Sequence, residues 1–420
     1  MATFKFKNLK GVNDMDKNVN SINNSENVDR VLILGASIAG ITAAGEIRKI
    51  NPDCNINMVS KEDIKGYYRP RLSEMLSNDN LSYESIAIKK DKWFEDNKVG
   101  LLLNKCVSKI DACNKKVIFT DGEEMYYTKL IIAIGSEAFV PPFAGKDKKG
   151  VFTLRYAKDV NAIKDYAKDK RTAAVIGGGI LGLEAASELS KLGLKVTVIE
   201  IAKRILPMQL DEATSRLYEN IIEKAGITVK KGLASKEIIG DERVKGVLLD
   251  NGEVVDADLI IVSAGVRVNT KITEGSNIET NRAIVVNNKM ETSVRDIYAC
   301  GDCAECSGIN YALWREAQEQ GKTAGINAAG GNSVYNNITP STILSAFGTR
   351  VFSIGDVGCN QDVQYETYEN FDGDNIKKLF FLDGKLTGGI LIGDTSKMGA
   401  LTAGVSKGES KEVIIDKIIS

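Results

Sequence analysis

Histidine is the most consequential absence from this chain of 420 residues, which contains none. Histidine is the commonest general acid or base in enzymes and the commonest metal ligand in proteins. Catalytic pairs of serine or cysteine with histidine, and zinc sites built on histidine, are therefore excluded.

An excess of charge and long hydrophobic runs are also missing. The chain has 55 Lys and Arg against 56 Asp and Glu, so its net charge of −1 favours neither nucleic acid nor an anionic membrane as a partner. No apolar run approaches the ~20 residues of a membrane-spanning helix, and the first residues lack the hydrophobic core of a signal peptide. Seven scattered cysteines, an odd number, indicate reduced thiols rather than a disulfide framework. These features predict a cytoplasmic protein.

The length suggests two or three domains at roughly 150 residues each. Residues 1–29 are rich in Asn, Lys and Asp and show little apolar periodicity, which predicts a flexible tail. From Val31 onward, short apolar runs alternate with helical patterns, as is typical of a parallel sheet with crossover helices.

Two segments of the chain repeat one pattern, "VLILGASIAGITAAGEI" and "AAVIGGGILGLEAASEL". Each predicts a buried strand, a glycine turn and a helix whose N-terminal amides face the turn. Such amides, together with the positive end of the helix dipole, bind a pyrophosphate. The repeat therefore predicts two dinucleotide-binding units.

The second unit is the more regular, since Gly177, Gly179 and Gly182 complete G-x-G-x-x-G. The next strand, "KVTVIE", ends in Glu200, whose carboxylate can accept hydrogen bonds from both adenosine ribose hydroxyls but repels a 2′-phosphate. This pattern predicts a preference for NADH over NADPH. Lys203 and Arg204 follow closely and could soften that preference.

The first unit departs from the pattern because Ser37 stands at the middle glycine position and "NINMVS" ends in Ser60 rather than in an acid. Either loop alone also fits a tight strand-to-helix turn in an unrelated α/β protein. Further strands end in glycine-containing turns at "KLIIAIG" and "ADLIIVSAG", and "VRDIYACGDCAEC" places Asp302 at a strand end. An aspartate there suits the ribityl or pyrophosphate region of a dinucleotide.

From residue 30 to about residue 407, the chain resembles the FAD-dependent pyridine nucleotide-disulfide oxidoreductases of the glutathione reductase fold, and within them most closely the NADH:rubredoxin oxidoreductase group. The glycine loops, "YYRPRLSEML", "FTLRYAKDV", Gly301-Asp302, "WREAQEQGKTAGINAAG" and "LFFLDGKLTGGILIGDTSK" carry this resemblance. It implies an α/β fold with two Rossmann-like domains, for FAD and NAD, and a C-terminal α+β interface domain. The implied boundaries are 30–145 with 268–332 for FAD, 146–267 for NAD(H), and 333–420 for the interface domain.

The resemblance also implies FAD and NADH as cofactors and assigns their contacts. Those to FAD are Gly35, Ser37, Ile38, Ala39 and Gly40 at the pyrophosphate, Ser60 and Lys61 at the adenosine, the backbone of Val107 at the adenine, Arg69 and Arg155 on the flavin side, Ala133 and Gly135 beyond their strand, Gly301 and Asp302 at the ribityl chain, and Trp314 at the start of a helix directed toward the flavin. Those to NADH are Gly177, Gly179, Gly182, Glu200 and Gly265. Neither a catalytic residue nor a metal site is expected, because the cofactors carry the chemistry.

Cysteine is missing from residues 55–105, where disulfide reductases of this fold carry a C-x-x-x-x-C pair beside the flavin. Without that thiol, chemistry on lipoamide, glutathione or CoA disulfides is disfavoured, as is NADH peroxidase chemistry. Glu74 follows Leu72-Ser73 where monooxygenase-linked ferredoxin reductases carry a lysine. This difference favours the rubredoxin-type group.

Cys300, Cys303 and Cys306 are spaced like ligands of an iron–sulfur cluster. A nearby fourth cysteine does not follow them, and a cluster would compete with FAD for space, so we interpret them as packing residues. Arg71 and the charged runs "IKKDKWFEDNK" and "KDKK" could help a carrier protein to dock or could be solvated surface charge.

The leading hypothesis is an FAD enzyme that oxidises NADH and reduces rubredoxin or a similar ferredoxin-like electron carrier. One alternative is an NADH oxidase that reduces dioxygen. Another is a non-turnover flavoprotein that acts as a redox sensor or an assembly subunit. The glycine loops fit all three, and the sequence does not distinguish a monomer from a homodimer.

Overall fold

The computed structural model describes residues 29–360 and 362–419, so nearly all of the predicted tail lies outside the described residues. The first part of the chain forms β1 (Arg30–Leu34), α1 (Ile38–Ile50), β2 (Asn55–Val59), α2 (Asp91–Asp96), β3 (Val99–Leu102), β4 (Val107–Asp111), β5 (Lys116–Phe119), β6 (Glu124–Tyr126), β7 (Lys129–Ile132) and β8 (Glu137–Ala138). The middle part forms β9 (Val151–Phe152), α3 (Ala157–Ala167), β10 (Thr172–Ile176), α4 (Ile180–Lys191), β11 (Lys195–Glu200), α5 (Glu212–Lys224), β12 (Thr228–Lys231), β13 (Ser235–Gly240), β14 (Val244–Leu249), β15 (Val254–Asp256), β16 (Leu259–Val262) and β17 (Val266–Arg267). The last part forms β18 (Ile284–Val286), β19 (Ile297–Ala299), β20 (Ala304–Cys306), α6 (Trp314–Ala328), β21 (Ser341–Ala346), β22 (Thr349–Gly355), β23 (Glu366–Asp372), β24 (Asn375–Leu382), β25 (Lys385–Ile392), α7 (Met398–Lys407) and α8 (Lys411–Ile419). Short 3-10 turns lie at Arg69–Arg71, Ser73–Leu76, Thr270–Thr273 and Gly301–Cys303.

The first sheet is parallel, with strand order β19-β7-β1-β2-β3. Its central strands are short apolar runs buried on both faces, as expected where helices cover a parallel sheet. Helices α1 and α6 pack together very closely: a Cβ at Gly321 would lie 2.3 Å from the carbonyl oxygen of Ala39, and one at Gly325 would lie 2.4 Å from that of Ala43. A small antiparallel sheet, β4-β5-β6, is inserted before β7.

The second sheet repeats this plan, with parallel strand order β12-β11-β10-β16-β9 and an antiparallel sheet, β13-β14-β15, inserted before β16. The repeat found in the sequence is therefore a structural repeat of strand, glycine turn and helix. Strands β8 and β17 pair with each other where the chain passes between the two units.

The C-terminal sheet is antiparallel, with order β21-β22-β25-β24-β23. Helices α7 and α8 cover it, and Leu401, Ile414 and Ile418 are buried in one apolar cluster with Phe381 and Leu386 of the strands. This arrangement is the α+β domain that the sequence predicted.

The segment "YYRPRLSEML" has an unexpected position, because its apolar side chains pack with the second unit and the C-terminal sheet, while Tyr68 and Arg69 contact the first unit. Tyr67, Leu72, Met75 and Leu76 are buried in the same apolar cluster as side chains of α3, α4 and the C-terminal sheet. The segment therefore ties together all three parts of the fold. In the part of the chain that the structure describes, no helix is both long enough and apolar enough to cross a membrane.

Candidate functional site

The first glycine turn forms a cradle at the N-terminus of α1. Gly35 has φ +118°, and a Cβ there would lie 2.1 Å from the carbonyl oxygen of Ala133. A Cβ at Gly40 would lie 2.0 Å from the carbonyl oxygen of Gly35. Ser37, the N-cap of α1, makes no side-chain capping bond to any described residue. The first turn, which includes Ile38 and Ala39, therefore offers backbone N–H groups to an anion.

The second glycine turn has the same geometry at the N-terminus of α4. Gly177 has φ +121°, and a Cβ there would lie 2.2 Å from the carbonyl oxygen of Ser263. A Cβ at Gly182 would lie 2.0 Å from the carbonyl oxygen of Gly177, while Gly179 is the N-cap. Both cradles fit the diphosphate of a dinucleotide, because only glycine allows this close approach of turn, strand and helix.

Glu200 lies at the end of β11, against the second glycine turn. Its carboxylate is buried, and it accepts hydrogen bonds from the backbone N–H of Gly178 at 2.6 Å and of Ala202 at 2.7 Å. These bonds fix the carboxylate beside the cradle and leave each oxygen a further lone pair. The geometry is that of an acid able to receive ribose hydroxyls.

Asp302 and Arg155 meet at the junction of the two units. The Asp302 carboxylate accepts hydrogen bonds from the Ser136 hydroxyl at 2.6 Å and from the Arg155 guanidinium at 2.8 Å. The Arg155 Nε also donates to the carbonyl oxygen of Ser136 at 3.1 Å. Gly301 turns the chain here with φ +76°, and its N–H donates to the Gln320 side chain at 2.8 Å. Ser136 and Arg155 therefore hold the Asp302 carboxylate in place, and Gln320 fixes the turn that carries it.

Arg69 extends this network across the junction. Its guanidinium pairs with Glu62 at 2.9 Å, donates to the Tyr67 hydroxyl at 3.0 Å and also donates to the carbonyl oxygen of Arg155. The Tyr67 hydroxyl donates to Glu62 at 2.7 Å, and burial raises the pKa of Tyr67. The arginine assigned to the flavin side is thus held by an acid, a phenol and a carbonyl.

The remaining predicted cofactor contacts are each placed by a neighbouring strand, turn or side chain. The N–H of Ala133 donates to the carbonyl oxygen of Leu34. Lys61 pairs with Glu137 at 2.8 Å and lies 4.6 Å from the ring centroid of Tyr156. The Ser60 hydroxyl accepts a hydrogen bond from the N–H of Glu62, and Val107 begins β4. Gly135 and Gly265 have φ of +70° and +93°. Trp314 begins α6, and its ring centroid lies 4.6 Å from that of Tyr68.

Sequence reasoning did not identify Glu62, Tyr67 and Ser136 as members of this network. Each had a local signal, because Glu62 follows the end of β2, Tyr67 precedes Arg69 by two residues and Ser136 follows Gly135. The sequence alone does not pair them with Arg69, Arg155 and Asp302, because those pairings depend on packing between segments remote in the chain.

Glu184 and Glu188 of α4 face the segment that contains Ser73 and Ser77. The Ser73 hydroxyl donates to Glu184 at 2.9 Å, and the Ser77 hydroxyl donates to Glu188. Burial raises the pKa of Glu184 to about 7, the bond from Ser73 opposes that rise, and the negative charges of Glu74 and Glu188 add to it. A carboxyl group in this position is half protonated near neutral pH.

We expect Glu184→Gln to stabilise the protein at pH 8 and to have little effect near pH 4.5. The pKa of Glu184 rises from its ordinary value of 4.5 to about 7 in the folded protein, so at a pH between these values the unfolded chain has released a proton that the folded chain retains. The free energy of unfolding therefore falls as the pH rises toward 7. Glutamine removes this penalty, which is about 2–3 kcal/mol for a shift of this size. Urea unfolding at several pH values measures the difference. A gain independent of pH would contradict the assignment, and Glu212→Gln, at an exposed position of α5, is the control.

The three closely spaced cysteines are buried in the first unit. Cys300, Cys303 and Cys306 are each at most 3% exposed. The Cys303 thiol donates to the carbonyl oxygen of Ile132 at 3.3 Å, and burial raises its pKa to about 11. Among residues 29–360 and 362–419, no group of three or more Cys, Asp or Glu side chains is arranged to hold a metal ion. Their interpretation as packing residues stays a prediction.

Comparison with known protein families identifies the class of protein that this fold and site define. Residues 29–321 match the family described as pyridine nucleotide-disulphide oxidoreductase, and residues 340–409 match the one described as rubredoxin NAD+ reductase C-terminal domain. The chain belongs to the pyridine nucleotide-disulphide oxidoreductase family. This family membership is the one that the resemblance predicted, and it is confirmed.

Individual relatives agree with this assignment. The chain is 33% identical over 394 residues to an NADH-rubredoxin oxidoreductase of Clostridium acetobutylicum, covering 93% of this chain and 98% of that protein. It is 36% identical over 383 residues to a nitrite reductase [NAD(P)H] of Bacillus subtilis, covering 90% of this chain and 47% of that protein. The crystal structure of NADH:rubredoxin oxidoreductase from Clostridium acetobutylicum is similar with a TM-score of 0.77 and 32% identity, covering 94% of this chain and 99% of that one. The chain spans about half the length of the Bacillus subtilis relatives that it matches.

Proposed function

We propose that this protein transfers hydride from NADH to FAD and then passes single electrons to rubredoxin or a similar small iron protein. The observation that carries the proposal is the pair of glycine cradles on one chain, one in each of the two units that the network of Arg69, Arg155 and Asp302 connects. The match of residues 340–409 to a rubredoxin NAD+ reductase domain supports rubredoxin as the class of acceptor.

The residues of the chain bind and orient the two dinucleotides. When bound, FAD accepts a hydride and supplies electrons one at a time. We assign 30–145 with 268–332 to FAD and 146–267 to NAD(H), with the diphosphates at the N-termini of α1 and α4. Asp302 is held by Ser136 and Arg155 to receive the ribityl chain, and Glu200 is held by two N–H groups to receive the ribose. Position and charge are the contributions of the protein, so no side chain needs to act as acid, base or nucleophile.

The aromatic pair of Tyr68 and Trp314 supports the proposal that electrons leave the protein at the surface where Tyr68 is exposed. Tyr68 is 42% exposed, and the two rings meet edge to face. Arg71 on the same segment pairs with Glu74, and both side chains are 41% exposed. A docking role for Arg71 and for the charged runs, a cytoplasmic location and the choice between monomer and homodimer all stay predictions.

Anaerobic stopped-flow spectroscopy tests the proposal. NADH is expected to bleach the flavin band rapidly, and rubredoxin is expected to restore it faster than air does. Rapid recovery in air with no response to rubredoxin or ferredoxin would instead establish an NADH oxidase. Slow bleaching with tight binding of NADH would point to the non-turnover flavoprotein.

We expect Glu200→Gln to reduce the preference for NADH over NADPH by about tenfold. This ratio corresponds to the loss of one interaction with the ribose that contributes about 1.4 kcal/mol. Glutamine keeps the size of the side chain but removes the charge that repels a 2′-phosphate and one of the two acceptors that hold the loop. The ratio of kcat/KM for the two dinucleotides measures the effect. An unchanged ratio would remove Glu200 from the site.

A further inference from the structure

The loop that follows β11 folds back over the second glycine cradle. Leu206 has φ +47°, its N–H donates to the carbonyl oxygen of Gly178 at 3.0 Å, and its side chain is buried together with those of Ile205 and Leu210. This loop also carries Lys203 and Arg204, the two cations that follow Glu200. Its conformation therefore decides which cation can reach the adenosine ribose.

Two residues of the C-terminal domain fasten this loop. The Cys359 thiol donates to the carbonyl oxygen of Pro207 at 3.4 Å. Lys378, whose side chain is only 6% exposed, donates to the Asp211 carboxylate at 2.8 Å and pairs with Glu369 at 2.5 Å. Because Asp211 is the N-cap of α5, the far end of the loop is fixed as well. The C-terminal domain thus positions a segment of the NAD-binding unit.

Arg204 is held at this contact. One guanidinium nitrogen donates at 3.0 Å to the carbonyl oxygen of Pro207, the same atom that accepts from the Cys359 thiol. Burial raises the pKa of Cys359, and the adjacent Arg204 guanidinium opposes that rise. The Nε of Arg204 is buried and has no hydrogen-bond partner among the described residues, whereas Lys203 is exposed. Arg204 therefore lies against the C-terminal domain.

We propose that Cys359 is a specificity-determining residue that acts by positioning Arg204. Together with the Pro207 carbonyl, it holds Arg204 against the C-terminal domain, so that the guanidinium does not reach a 2′-phosphate bound beside Glu200. An arginine near the end of this strand is the group that accommodates the 2′-phosphate in NADP-binding domains. The proposal rests on the proposed function in one respect, that the second cradle binds the adenosine half of the dinucleotide. It gives the C-terminal domain a part in cofactor choice.

The experiment compares affinities of the flavin-loaded protein for ADP-ribose and for 2′-phospho-ADP-ribose by calorimetry. Cys359→Lys places a like charge beside Arg204 and is expected to release it, which should tighten binding of the 2′-phosphorylated ligand about tenfold and alter ADP-ribose binding little. In the double variant Cys359→Lys with Arg204→Gln, that gain should disappear. Cys359→Ser keeps a donor for Pro207 and is the matched control, expected to behave as the parent protein.

Several outcomes would overturn the inference. A Cys359→Lys protein with an unchanged ratio would show that Cys359 does not retain Arg204. A gain that survives Arg204→Gln would show that the new lysine binds the phosphate itself. Weaker binding of the 2′-phosphorylated ligand in Arg204→Gln alone would show that Arg204 already reaches it. Failure of the parent protein to bind ADP-ribose would instead refute the proposed function, and the inference with it.

Discussion

Gly35→Ala is expected to yield protein that retains little flavin. The backbone at Gly35 has φ +118°, a conformation that costs other residues roughly 1–3 kcal/mol. The added Cβ would also lie 2.1 Å from the carbonyl oxygen of Ala133, so β7 or the turn must shift. Because the shift disturbs the amides that face the diphosphate, we expect the bound flavin per chain to fall at least tenfold, about 1.4 kcal/mol. The flavin absorbance after gel filtration measures this.

Gly45→Ala is the matched control on the same helix. A Cβ at Gly45 would meet only the Trp93 ring, at 3.4 Å, among the described residues, and alanine is the better helix former by about 1 kcal/mol. This variant should keep its flavin and unfold at a slightly higher temperature. Equal flavin content in the two variants would show that the turn at Gly35 does not form the FAD cradle.

The sequence predicted the parts of the fold that depend on local patterns. A buried apolar strand, a glycine turn and a helix are specified within about 20 consecutive residues, so both dinucleotide units and their repeat could be found without a structure. Glu200 was predicted in the same way, because the acid at the end of the second strand has a regular distance from the glycines, and its contact with ribose stays a prediction. The C-terminal α+β domain followed from family resemblance rather than from periodicity.

The contacts that join these parts were not predictable. Ser73 and Glu184 are 111 positions apart in the chain, and Arg155 and Asp302 are 147 apart. A side chain finds such a partner only after two independently specified units have packed. The position of "YYRPRLSEML" against α4 is the clearest case, since its aromatic, basic and apolar residues suit an exposed surface as well as an interface.

Arg69 and Arg71 lie in one 3-10 turn, and the sequence does not show which of them pairs with a distant residue. Variants of the two arginines should differ sharply in stability. Arg69→Leu removes the donor shared by Glu62, Tyr67 and the Arg155 carbonyl. The Glu62 carboxylate, 17% exposed, then loses its ion-pair partner and keeps the hydrogen bond from the Tyr67 hydroxyl. Breaking a fully buried ion pair from one side costs about 3–5 kcal/mol, whereas an exposed pair contributes about 0–1 kcal/mol, so the cost for this partly buried pair should lie between these values. We therefore expect a clear loss of stability in urea together with slower reduction of the flavin by NADH.

Arg71→Leu is the matched comparison, because this arginine pairs with Glu74 while both side chains remain 41% exposed. Exposed pairs contribute about 0–1 kcal/mol, so this variant should unfold almost as the parent protein does and should accept hydride at the same rate. Replacing Glu62 by Leu together with Arg69 should recover part of the stability, because the unpaired charge is then gone, but not the rate. If Arg69→Leu and Arg71→Leu lose equal stability, the Arg69 network does not stabilise the junction of the two units. If Arg71→Leu alone slows electron transfer to rubredoxin, the arginine serves carrier docking rather than the fold.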